Sequence, residues 1–123
     1  MYRSLQVTGV HMDITDALRT YVEQRMTALE KFISPEDDRV RISVELSKTT
    51  EHHKHAPDGY RTEIQVVCAE ESYFAGVSTD DLYGAIDEAV DDLIRQVRDT
   101  RGRVRHLLRS GGMRLKKLLR LER

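Results

Sequence analysis

The chain of 123 residues has no tryptophan, two phenylalanines, two prolines and a single cysteine. With so few aromatics, a core must be built from aliphatic side chains. One cysteine, Cys68, excludes an internal disulfide and any cysteine-rich zinc module. No apolar run approaches the roughly 18 residues of a spanning helix. The N-terminal MYRSLQVTGVHMD lacks the apolar stretch of a secretory signal. A soluble cytoplasmic protein is therefore expected. Also missing are G-x-S-x-G, the P-loop, G-x-G-x-x-G and H-E-x-x-H. Cys68 sits in an apolar run, as a small core residue would. Neighbouring helical residues point in different directions, so Asp80-Asp81 and Asp91-Asp92 make poor chelates. The expectation is a protein that is not an enzyme and needs no cofactor. His52, His53 and His55 form one metal-like cluster, but no Cys or further His stands at a companion spacing. A solvated loop, with no metal, is the expectation there.

What is present is charge, unevenly placed. Residues 1–94 carry 9 Lys/Arg against 19 Asp/Glu, whereas residues 95–123 carry 11 against 2. An acidic body with a basic end points to a polyanionic partner, nucleic acid or an anionic membrane. The mass of 14.2 kDa suits one domain with a tail. The expected division is a domain over 1–103 and a basic, partly helical tail over 104–123.

Periodicity supplies the elements. Residues 2–8 alternate and read as a short strand, with Tyr2, Ser4 and Gln6 opposite Leu5 and Val7. Thr15 is a good N-cap for a helix whose stripe is Leu18, Val22, Met26, Leu29 and Ile33. Ser34-Pro35 stops it. Residues 39–48 alternate strictly: Val40, Ile42, Val44 and Leu46 share one face. Tyr60, Thr62, Ile64, Val66 and Cys68 alternate again, and YFAGV reads as a fourth strand. Ser78-Thr79-Asp80-Asp81 starts a second helix with the stripe Leu82, Ile86, Ala89, Val90, Leu93 and Val97. Val104, Leu107 and Leu108 suit its continuation, and Gly111-Gly112 would break it. Each helix has one apolar stripe, so the expected fold class is α+β, with two helices on one face of a four-stranded sheet.

Arg95, Arg98, Arg101 and Arg105 step by three or four residues, which predicts one helical strip of guanidinium forks, with Arg103 beside it. On the first helix Arg19, Arg25 and Lys31 are expected to be exposed, diluted by Glu23 and Glu30. If the helices are neighbours, their outer surfaces make one face suited to RNA phosphates. The strands carry no aromatic RNP-like pattern, so base stacking on the sheet is not expected.

Two stretches carry a resemblance: GVHMDITDALRTYVEQRMTALEKFI (9–33) and DDLYGAIDEAVDDLIRQVRDTRGR (80–103). Asp81, Tyr83, Ala85, Ile86, Asp87, Leu93, Arg95, Gln96 and Arg98 stand at the motif positions of the second stretch. Together the two resemble the ribosome hibernation promoting factor and ribosome-associated inhibitor family, also called sigma-54 modulation proteins, over roughly residues 3–105. Asp92 replaces a family lysine, and Glu70-Glu71-Ser72 replaces a Gly-Gly turn. The resemblance implies a β-α-β-β-β-α fold akin in layout to double-stranded RNA-binding domains. It implies binding to the small ribosomal subunit (16S rRNA) and the 70S ribosome near the decoding centre. The tRNA and mRNA channel would be occluded, and ribosomes held inactive under stress or in stationary phase. No small-molecule substrate and no membrane are expected. It implies rRNA contacts for Arg19, Arg25, Lys31, Arg95, Arg98, Arg101 and Arg103. The tail is too short for the dimerisation domain of long members, so the chain resembles the short type. Arg105, Arg109, Arg114, Lys116, Lys117 and Arg120 would add tail contacts with RNA. The alternatives are a general structured-RNA-binding or RNA-chaperone module, and a membrane-surface protein acting through its basic tail.

Overall fold

The structure, a computed structural model, describes residues 1–49 and 59–110, with side chains to residue 102. Its elements are β1 (Leu5–Val10), α1 (Asp16–Met26) continued by a 3₁₀ turn (Thr27–Lys31), β2 (Arg41–Lys48), β3 (Tyr60–Val67), β4 (Ser72–Thr79) and α2 (Leu82–Ser110). The sheet order is β1-β2-β3-β4. β1 and β2 are parallel, joined through α1; the other two pairings are antiparallel. This is the expected α+β order.

One row of the register shows why both helices share a face. Val7, Val44, Ile64 and Ala75 align across the four strands, and all four are buried. They join the stripes of both helices in a single aliphatic core. Leu18, Val22, Met26, Leu29 and Ile33 all reach it, as do Ile86, Ala89, Val90, Leu93 and Val97. Each large aliphatic residue buried there stabilises the fold by about 1.5–3 kcal/mol. Positions of the opposite parity, such as Gln6, Ser43 and Gln65, are exposed, so nothing among the described residues covers the second face of the sheet.

Three local expectations change. Tyr2 precedes β1 and is no strand residue: its ring is buried, and its hydroxyl donates to the Ile33 carbonyl at 2.5 Å. An alternation over seven residues could not distinguish this from a strand start. β1 instead runs on through Gly9 to Val10, and the chain turns at His11, whose φ is 59°. The cap of α2 is Asp81, whose carboxylate accepts from Gly84 N at 3.0 Å while its carbonyl accepts from Ala85 N at 2.9 Å. Thr79 belongs to β4. α2 passes through Gly102 and on to Ser110, the continuation that the sequence suits.

Candidate nucleic-acid interface

The basic side chains fall into two groups set by helical angle. At about 100° per residue, steps of three drift by about 60° each. From Arg95 through Arg98 to Arg101 the strip therefore rotates by about 120° toward the core side of α2. Arg95 and Arg98 are exposed. Arg98 has only Asp99 near it, 3.6 Å from Nε, with both side chains more than half exposed. Such a pair contributes little. No ion pair involves Arg95 among the described residues.

Arg101 lies elsewhere, and this corrects the expected single strip. Its Nη1 donates to the carbonyl of Phe32, and its Nε stands 3.7 Å from Glu71 Oε2. Glu71 also accepts from the Tyr73 hydroxyl. Arg101 thus ties the end of the 3₁₀ turn and the β3–β4 turn to α2. Its charge is largely answered within the chain. Around this clamp, burial, the neighbouring Glu71 and the hydrogen bond to it push the Tyr73 phenol up from its ordinary value of 10.0. Burial does the same to Tyr2 and raises the Cys68 thiol.

Arg25 is the second correction: it is half-buried rather than exposed. Its Nε lies 3.0 Å from Asp87 Oδ1 and its Nη2 3.1 Å from Asp91 Oδ1. Tyr21 donates to the same Asp87 oxygen at 2.5 Å, and its ring meets that of Tyr83 edge-on with centroids 4.8 Å apart. The hydrogen bond to Asp87 raises the Tyr21 phenol above 10.0. Acidic residues of α2 are therefore partly consumed in holding α1. The paired Asp87 and Asp91 are less of a liability to an anionic ligand than their number suggested.

Arg19 is exposed but sits about 120° around α1 from Arg25, away from α2. Lys31 is exposed and precedes Phe32, whose carbonyl receives Arg101. That bond ties the residue after Lys31 to Arg101, not to Arg95 or Arg98. Arg95 and Arg98 lie one turn apart on α2, and Arg19 stands apart from them on α1. Arg103, Arg105 and Arg109 continue α2 as backbone. Arg114, Lys116, Lys117 and Arg120 lie outside the described residues, as do His52, His53 and His55. No helix among the described residues is long and apolar enough to cross a membrane.

Comparison with known proteins bears on this arrangement. The model of the family described as Sigma 54 modulation protein / S30EA ribosomal protein matches residues 5–105. The chain is 32% identical over 93 residues to the ribosome hibernation promoting factor of Azotobacter vinelandii, covering 76% of this chain and 78% of that one. It is 29% identical over 94 residues to the ribosome hibernation promotion factor of Deinococcus radiodurans, but spans only 46% of that protein. The crystal structure of the N-terminal domain of Thermus thermophilus Protein Y superposes with a TM-score of 0.65 at 32% identity. That match covers 81% of this chain and 99% of that domain.

Proposed function

Because the chain belongs to the Sigma 54 modulation protein / S30EA ribosomal protein family, we propose that it binds the small ribosomal subunit and inhibits translation by occupying the tRNA and mRNA channel near the decoding centre. The observation that carries this reading is the pair Arg95 and Arg98, exposed on α2 and without a strong partner among the described residues, in a fold shared with the N-terminal domain of Thermus thermophilus Protein Y. Each guanidinium offers a planar, permanently charged fork to a phosphate. Lys31 is a further exposed cation. Arg19 would reach rRNA only where the ligand wraps around α1. Arg25 and Arg101 act as positioning residues: they fix the angle between the helices and the turns, and so the spacing of the free cations. Arg103, Arg105 and Arg109, with Arg114, Lys116, Lys117 and Arg120, supply further charge.

Occlusion needs no bond-making. Affinity comes from counterion release along the rRNA backbone, and selection from the fit of a rigid domain into a structured channel. Inhibition follows from sharing a site with tRNA and mRNA.

The test is co-sedimentation of the full chain with purified bacterial ribosomes at low and high salt, repeated with the channel filled by mRNA and initiator tRNA. Retention on small subunits that weakens with salt and is lost to mRNA and tRNA is the expected result. Retention unaffected by a filled channel would place the site elsewhere. Equal affinity for naked structured RNA would favour a general RNA-binding module.

A further inference from the structure

The sheet has a second face that no helix among the described residues covers, and its composition is not random. The register aligns Gln6, Ser43, Gln65 and Phe74 in one row across all four strands. All four are exposed and none is charged. Phe74 ends the row with half its surface open to solvent, and Val67, its diagonal neighbour on β3, is 39% exposed. In the pair Tyr73-Phe74 the first ring is buried in the core and the second points out. The open face thus carries one exposed aromatic, Phe74, without an RNP-like pattern.

Gly76 explains how the ring lies. A Cβ at this position would come within 3.2 Å of Phe74 Cε1 and 2.5 Å of Arg61 Nη2. The missing side chain lets the Phe74 ring and the Arg61 guanidinium meet over the bare backbone of β4. Arg61 is held there by Glu63 at 2.8 Å and Ser78 at 3.1 Å. Beside this platform a shallow depression of about 500 Å³ is lined by Gln6, Arg41, Ser43, Gln65 and Val67. The platform also adjoins the cationic helix. Gln96, next to Arg95, donates from Nε2 to the Phe74 carbonyl at 2.8 Å.

The parts match one ligand chemistry. An aromatic ring beside a guanidinium plane offers stacking to any nucleobase. Amide and hydroxyl side chains about 4.8 Å apart across strands can donate to and accept from a base edge. Arg41 stands in the adjoining row, exposed, for a phosphate. In the row on the other side Glu45 faces Glu63, which Arg61 already pairs, so Glu45 is the carboxylate that would repel a phosphate. Its charge turns an RNA backbone toward the Arg41 side. A lipid surface would meet these carboxylates, and an apolar peptide would find, among the described residues, only Phe74 and Val67 with Val10 two rows away on β1. A duplex hides its base faces from stacking. We infer that the open sheet face binds a short single-stranded RNA segment, with one base stacked on Phe74 and the edge of its neighbour held by Gln65 and Ser43. This rests on the reading above only in taking RNA as the partner class. The domain would then hold RNA on two sides, by phosphates on α2 and by bases on the sheet.

The test uses the full chain and a labelled single-stranded oligoribonucleotide of mixed sequence, about eight nucleotides long, followed by fluorescence anisotropy. Phe74→Ala should weaken binding by about 5- to 100-fold, the range for loss of one stacked base, while Phe74→Tyr retains it. A duplex of the same sequence should bind both variants alike. The exposed position keeps the fold out of question, and a thermal melt of each variant checks this. Wild-type failure to bind the single strand, or equal binding by Phe74→Ala, would overturn the sheet site and leave Phe74 to a protein contact. Ribosome co-sedimentation in the same series reports separately. Its loss with oligonucleotide binding intact would overturn the ribosome reading and spare the sheet site.

Discussion

The two halves of α2 use the same kinds of charged residue for different purposes. In the first half, Asp87 and Asp91 face α1 and are met by Arg25, with Tyr21 donating to Asp87. Their charge is spent on the seam between the helices. In the second half, Arg95 and Arg98 are exposed, and of the arginines with described side chains only Arg101 turns back to the body. Charges at a packed seam are answered within the chain, whereas Arg95 and Arg98 on the outer arc of the same helix stay exposed. A residue's helical angle, not its identity, separates the scaffold from the interface.

The largest expected effect breaks the comparison on the outer side. Arg95→Glu combined with Arg98→Glu should lower affinity for ribosomes by about 100-fold near 0.1 M salt. Stability should change by about 0.5 kcal/mol or less, because both side chains are exposed. Quantitative sedimentation and a denaturant melt on the same sample check both halves of that statement.

Arg101→Met should do the reverse. Loss of the charged donor to the Phe32 carbonyl and of the contact with Glu71 should reduce stability by about 1–2 kcal/mol, tempered by its partial exposure. The salt dependence of binding should stay close to wild type. A large loss of salt dependence in this variant would return Arg101 to the interface.

Arg25→Gln is expected to have a smaller effect, about 0.5–1 kcal/mol of stability by chemical denaturation. It frees two carboxylates beside the patch, so a modest fall in RNA affinity should accompany it.

The smallest effect at neutral pH comes from the tyrosines. Tyr2, Tyr21 and Tyr73 are all raised above 10.0 in the folded chain, the first and last by burial first and Tyr21 by its bond to Asp87. The folded state favours their neutral forms. This stabilisation is whole below pH 10 and is lost as pH rises through the raised values, because the unfolded chain releases those protons first. Stability should be flat toward pH 9 in this respect and fall beyond pH 10, with tyrosinate absorbance rising together with unfolding. Titration of all five tyrosines near pH 10 in chains that are still folded would contradict the environments assigned to Tyr2, Tyr21 and Tyr73.

Much of the fold was legible because alternation and helical stripes report directly which face is buried. The row Val40, Ile42, Val44, Leu46 and the stripe Leu18 to Ile33 needed no partner to be recognised. What escaped depends on distant contacts. Tyr2 is a core residue only because Ile33 offers a carbonyl 31 positions away. Arg101 leaves the strip because Phe32, 69 residues earlier, has a free carbonyl at the right place. Arg25 is drawn off by carboxylates 66 positions or so along the chain. A three-residue step looks like one strip in the sequence, and its drift of about 60° is felt only when something occupies the space it turns into. Phe74 was hidden by an aromatic neighbour: adjacent rings in a strand point to opposite faces, and the register decides which is bare.

The most direct test of the central claim, that the outer arc of α2 is the part that meets rRNA, is the salt dependence of binding to purified small ribosomal subunits. For the full chain, log K should fall linearly with log salt. For Arg95→Glu with Arg98→Glu the slope should shrink by about 1.5–2, the worth of two lost phosphate contacts. Equal slopes for the two proteins would show that neither arginine touches a phosphate, and would contradict the account.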